Sequence, residues 1–140
     1  MAKRAQILLG AYKVSGPEER EALRQQVERG LPVESVKALQ DELRRLGVPR
    51  PSAYVECIAS RAARSRRDTL TPQEGERLVR VAGILARAMA VWGKEEDAAE
   101  FLTRPHPELN GDSPIERARS EIGARQVEHL LLKLDLGLPV

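Results

Sequence analysis

The stretch from Thr71 to Gly93, TPQEGERLVRVAGILARAMAVWG, decides the fold. It opens on threonine, with proline next and glutamate three residues on, which is a capping box with proline at the first helical position. Leu78, Val81, Ala82, Leu85, Met89 and Trp92 then recur at steps of three and four. That is the period of one helix face, so the spacing predicts a helix over residues 72–92 with these six side chains buried. Gly93 supplies the residue on which a helix ends in the left-handed conformation. So long a helix with an apolar stripe needs other helices around it, and the flanking sequence provides them.

Upstream, residues 17–29 read as a polar helix opened by Ser15-x-x-Glu18 and closed by Gly30. Leu23 and Val27 are its only large apolar residues, too thin a stripe to hold a core alone, so it is expected to pack on a neighbour or a second subunit. Residues 33–46 place Val33, Val36, Leu39, Leu43 and Leu46 at helical spacing before the capping Gly47. Pro49 and Pro51 impose an extended break. Ser52 is then expected to cap a brief helix to residue 59, with Val55 and Ile58 on one face, and residues 60–67 to form another. Downstream, residues 94–103 predict a helix that buries Ala98, Phe101 and Leu102 and stops before Pro105 and Pro107. Ser113-Pro114-Ile115-Glu116 repeats the capping grammar and starts a short helix to about residue 122, which Gly123 is expected to break. Residues 124–136 form the last helix on Val127, Leu130, Leu131 and Leu134, and Gly137-Leu138-Pro139 fits a helix-ending motif closed by an apolar contact. No alternating run of useful length suggests a strand. The fold class is all-α, divided into an N-terminal helical region, residues 1–70, and a C-terminal helical domain, residues 71–140.

Composition narrows the function. The chain has 140 residues, 31% charged and 41% hydrophobic, which is room for one modest globular unit or two small helical ones and excludes a mainly disordered chain. No uninterrupted apolar run approaches the roughly 20 residues of a membrane span. One Phe, one Trp and two Tyr leave little for the aromatic platforms on which single-stranded nucleic acid stacks. A single cysteine, Cys57, rules out an internal disulfide and a cysteine-based zinc site, and reads as a buried structural thiol. His106 and His129 form no His-x-x-x-His pair, glycines occur singly at helix ends, and Glu95-Glu96-Asp97 opens a helix whose dipole favours it. These features point away from an enzyme and from any metal or cofactor. The first residues carry two basic side chains and only a short apolar patch at 7–9, which is not a secretory signal, so the expected address is the cytoplasm.

Two features remain. Arg61, Arg64, Arg66 and Arg67 fall within seven residues with no acid until Asp68, on a short helix that comes after another across a tight break. That is the layout of a helix-turn-helix recognition element, whose guanidinium groups would hold phosphates and reach guanine edges. Ser60 opens the same row. The alternative is an ordinary solvated arginine face. The second feature is the end of the chain, Leu136-Gly137-Leu138-Pro139-Val140, apolar and without a charged side chain. Such a tail either folds back or enters a partner's groove. Charge divides along the same line: residues 1–91 hold 17 Lys and Arg against 11 Asp and Glu, and residues 92–140 hold 6 against 10. A basic front and an acidic back suit two different partners.

The run from Leu78 to Val140 resembles the toxin-binding domain of the Xre/MbcA/ParS antitoxins, partners of RES-domain toxins. The matching pieces are Leu70-Thr71-Pro72 with Glu74, Arg77 to Ala82, Trp92 to Ala99 with Phe101-Leu102, and Pro105 and Pro107. Leu109-Asn110-Gly111, Ser113-Pro114-Ile115, Glu121 to Ala124 with Val127, and Leu134-Asp135 with Gly137 complete the series. Phe101 stands where the family often has Trp. Residues 30–70 are similar to the family's preceding helix-turn-helix, with Pro49-Arg50-Pro51 in place of a regular turn. The resemblance implies that residues 71–140 bind an NAD-degrading or ADP-ribosylating toxin, that the C-terminal segment lies at its NAD pocket, and that the protein dimerises and represses its own operon. Carried over by position, the toxin-binding residues are Arg125, His129, Leu132, Lys133, Leu136, Gly137, Leu138, Pro139 and Val140, the last through its terminal carboxylate. The DNA-binding residues are Ser60, Arg61, Arg64, Arg66 and Arg67, and residues 17–46 are the candidate dimer contact. The competing reading is a stand-alone repressor whose C-terminal helices only dimerise.

Overall fold

The computed structural model describes residues 17–139, and their regular elements are helical. In chain order these are α1 (Pro17–Arg29), α2 (Glu34–Arg45), α3 (Pro51–Val55), α4 (Arg61–Arg66), α5 (Pro72–Trp92), α6 (Glu95–Thr103), a 3-10 turn (Pro107–Leu109), α7 (Pro114–Arg117) and α8 (Glu121–Asp135). One antiparallel bridge, Pro32 with Thr69, is the β-type pairing found among the described residues. The Val33 amide donates to Asp68 O and the Leu70 amide to Leu31 O beside it, so the approaches to α2 and α5 are tied together. Among the described residues no helix is long and apolar enough to cross a membrane.

Helix α5 begins where its capping box sets it. Thr71 Oγ1 accepts from the Glu74 amide at 3.2 Å, and the Glu74 carboxylate accepts from the Thr71 amide at 2.8 Å. Its buried residues are not confined to the expected stripe: Ile84, Ala86 and Ala88 are buried along with Leu78, Val81, Ala82 and Leu85. α8, α6, α1 and α2 pack against it, α1 at its N-terminal half. Val27 of α1 seats against Gly75, where a Cβ would lie 3.2 Å from Val27 Cγ1. The neighbour expected for this polar helix is therefore within the chain. One apolar cluster runs from Val36 through Leu85 to Leu131, joining residues on both sides of position 70. The buried Tyr54 hydroxyl strengthens that join by donating to Ile115 O at 2.8 Å.

Four sequence expectations are corrected. Trp92 is not buried but 38% exposed, since at the last residue of α5 only part of its ring is covered, by Phe101. Ser52 is not a cap: α3 starts at Pro51 after Arg50, which takes the left-handed conformation at φ 49°, and the helix stops at Val55. The helix begun at Pro114 ends at Arg117 rather than near residue 122. Gly123 does not break it but lies inside the first turn of α8, its amide donating to the capping Ser120 Oγ at 3.0 Å. Ser15, read as the cap of α1, lies outside the described residues.

Gly123 is needed for a close approach. A Cβ there would stand 2.0 Å from Arg117 O, where backbone would have to move. Gly83, inside α5, has open space where its Cβ would be. Gly123→Ala is therefore expected to destabilise the fold by about 2–3 kcal/mol or more. Gly83→Ala is expected to stabilise it by about 0.5–1 kcal/mol, because alanine is the better helix former. Urea unfolding of the two variants beside the unaltered chain checks both.

Candidate functional site

The inward side of α8 carries Ala124, Val127, Leu130 and Leu131, all buried. Its opposite side is the unusual one. Ile122, Arg125, His129, Leu132 and Leu136 recur at steps of three and four and are all exposed, so they form one stripe along the helix. Ile122 is 75% exposed, Leu132 49% and Leu136 64%. A helix on a core normally keeps large aliphatic residues off its solvent face. Arg125 pairs with Glu121 one turn back at 2.9 Å, an exposed contact that leaves it within reach of a partner. Lys133, four residues after His129 and three before Leu136, borders this stripe; it is half-buried and turned toward Glu108 at 3.7 Å.

Beyond α8 the chain is held by its own backbone. The Gly137 amide donates to Leu134 O at 3.1 Å and the Leu138 amide to Lys133 O at 2.8 Å. With Gly137 at φ 71°, this is a Schellman motif, which only a residue tolerant of the left-handed region closes without strain. Leu138 is 50% exposed, so the tail through Pro139 does not fold back onto the core. The chain end thus presents Leu132, Leu136 and Leu138 on a hydrogen-bonded scaffold. Val140 lies outside the described residues.

The basic cluster is brought together less fully. α4 has six residues, and none of them is buried. Ser60 Oγ serves as its cap, accepting from the Ala63 amide at 3.1 Å. Arg64 Nε donates to Ala59 O at 3.1 Å, and Arg66 Nε to Ala62 O at 3.3 Å. Arg67 is drawn away into an ion pair with Glu74 at 2.8 Å. What the structure adds is a recess of about 610 Å³ between α2, α3 and α4, lined by Lys37, Gln40, Ser52, Glu56, Arg61 and Arg64. Three cations face one carboxylate there, so the recess favours an anion. Cys57, expected to be buried, is half-buried, and its thiol donates to Tyr54 O at 2.8 Å.

Residues 87–137 match the antitoxin Xre/MbcA/ParS C-terminal toxin-binding domain. The chain is also 36% identical over 94 residues to the protein of Pseudomonas putida called Antitoxin Xre. The alignment covers 65% of this chain and 59% of that relative's length. The matched segment begins in the last turns of α5 and ends at Gly137, so it contains the outward stripe of α8 and the glycine that closes it. The arginine cluster lies outside it.

Sequence reasoning missed the exposure of two apolar residues of the matched segment, Ile122 and Trp92. For Ile122 a signal was present: it stands seven residues before His129 and fourteen before Leu136. Reading Gly123 as a helix breaker placed it on a different element.

The Arg67–Glu74 pair gives a pH test. The Arg67 hydrogen bond, assisted by the Thr71 amide, holds the Glu74 carboxyl below its ordinary value against the opposing effect of burial. A depressed carboxylate contributes stability that is present above its unfolded value of about 4.3 and lost as pH falls through the folded value. Thermal unfolding between acid and neutral pH is expected to show that loss, and Glu74→Gln to flatten it.

Proposed function

We propose that this chain is the antitoxin of a toxin–antitoxin pair. Its partner is a RES-domain toxin that consumes NAD, and the end of α8 with residues 136–140 seats in the toxin's NAD site. The observation that carries this reading is the line of exposed leucines Leu132, Leu136 and Leu138, held by the Schellman closure at the end of the family-matched segment. An uncharged apolar knob fills a nucleotide pocket sterically, and a preset one loses little freedom on entering it. Inhibition by occlusion requires no catalytic residue, metal or cofactor of the antitoxin's own. Arg125 and His129 flank the knob and supply polar contacts at its rim.

A second activity, binding of operator DNA in the cytoplasm, is favoured by the recess that gathers Lys37, Arg61 and Arg64. Phosphate would be held there, with Arg66 free to contact the neighbouring backbone. A two-fold contact through α1 and α2 would give the symmetry a repressor needs. The stand-alone repressor reading also uses the leucine stripe, as a dimer seam, so the test must separate the two.

Co-expression with the product of the adjacent reading frame, then gel filtration and an NAD-consumption assay, makes that separation. A stable complex with silent NAD turnover is expected, and removal of residues 132–140 should restore turnover. Leu132→Asp and Leu136→Asp should each weaken the complex about tenfold or more, since a fully buried leucine contributes about 1.5–3 kcal/mol. No complex, with salt-sensitive binding to the chain's own promoter, would leave the repressor reading. For the DNA activity, Arg61→Ala and Arg64→Ala should each make the slope of log affinity against log salt shallower by about one.

A further inference from the structure

Where the end of α5 meets α6 and the inward side of α8 lies a groove of about 340 Å³ that the proposed function leaves unused. Its walls are Trp92 at the end of α5, Phe101 and Asp97 of α6, His106 from the next loop, and Leu134 of α8, with Glu100 and Arg104 at the rim. The rings form a continuous surface: Trp92 and Phe101 have centroids 5.7 Å apart, and Phe101 and His106 meet edge to face at 6.3 Å. Trp92 carries more apolar surface than any other side chain here, yet 38% of it faces solvent.

Charge decides what would cover it. Glu100 is neutralised by Arg104 at 2.8 Å, and Glu95 by Arg45 from α2. Asp97 has no cationic partner among the described residues. His106 Nδ1 accepts from the Glu108 amide at 3.1 Å, which fixes the ring against the groove wall. An indole face beside an unneutralised carboxylate is complementary to a cation. An aliphatic occupant would desolvate Asp97 without compensation. Guanidinium fits better than ammonium, because its plane stacks on the ring while its fork meets the carboxylate.

We propose that this groove receives an arginine side chain of the toxin, as a second anchor in addition to the leucine knob. Leu134, two residues from both Leu132 and Leu136 and therefore on the inward side of α8, joins the groove wall to the helix that carries the knob. The inference rests on the proposed antitoxin function, and its test keeps the two apart.

The affinity of full-length chain for its co-expressed toxin is measured by calorimetry at low and high salt. The variants are Trp92→Ala, Asp97→Asn and, as control for the knob, Leu136→Asp. Trp92 and Asp97 are exposed, and circular dichroism with thermal melting confirms that each variant is folded. Trp92→Ala and Asp97→Asn are each expected to weaken binding by roughly three- to thirtyfold, and the Asp97→Asn loss to shrink at high salt. Wild-type affinity for both, with binding lost in Leu136→Asp, would overturn the groove contact while leaving the antitoxin reading intact. A loss in Trp92→Ala alone would mean an apolar occupant and overturn the arginine. Self-association of the chain without toxin, abolished by either groove variant, would make the occupant a second copy and overturn the proposal. Failure of the unaltered chain to bind toxin would overturn both readings.

Discussion

Helix α5 is apolar around too much of its circumference to be satisfied by one neighbour, and most of the structure consists of the elements that cover it. α8 and α6 take the larger part, and α1 and α2 also pack against it. α8 reaches its place only because the chain turns sharply between Arg117 and Glu121. That turn requires Gly123 to approach the Arg117 carbonyl more closely than any side chain would permit. The surface is a consequence of this arrangement. Once α8 has given one side to α5, its remaining side is free, and the aliphatic residues left there are not explained by the packing of the core.

Most of the helices were legible because their signals are local. A capping box with proline behind it, or a glycine after a run of period three to four, specifies an end by backbone chemistry alone: α5 matches the predicted limits at both ends, and α1 ends at Arg29 as predicted. The misreadings came where tertiary contact overrides local preference. Gly123 reads as a breaker, since glycine weakens a helix. Its real function is to let two backbones touch, which no pattern within the helix announces. Trp92 falls in register with the buried stripe, but a stripe says which face turns inward and not how far along the helix a neighbour extends. Between the two prolines, the left-handed Arg50 replaced the expected cap at Ser52.

The candidate site was legible in a similar proportion. Its apolar, uncharged tail stood out because charged residues fill the rest of the chain, and its outward stripe needed only the correct start of α8 to become visible in full. The contact of Lys133 with Glu108 is tertiary and could not be read from its place in the helix. The arginine cluster illustrates the same limit. Four neighbours in sequence diverge in space: Arg67 joins Glu74 at the start of α5, Arg64 and Arg66 turn partly onto carbonyls, and Arg61 meets Lys37 from another helix. An anion site assembled from α2 and α4 could not be read from either segment alone.

The two ends of the molecule therefore carry different surfaces on one core: a basic recess at α2 to α4, and a leucine-edged helix with an acidic aromatic groove at α5, α6 and α8. Inhibition through the second of these is the central claim. Hydroxyl-radical footprinting of the chain, free and bound to the product of the adjacent reading frame, tests it most directly, because oxidation reports on individual side chains. Strong protection of Leu132, Leu136 and Leu138 in the complex is the expected result. Unchanged oxidation of those three leucines, with protection confined to α1 or to the arginine cluster, would contradict it.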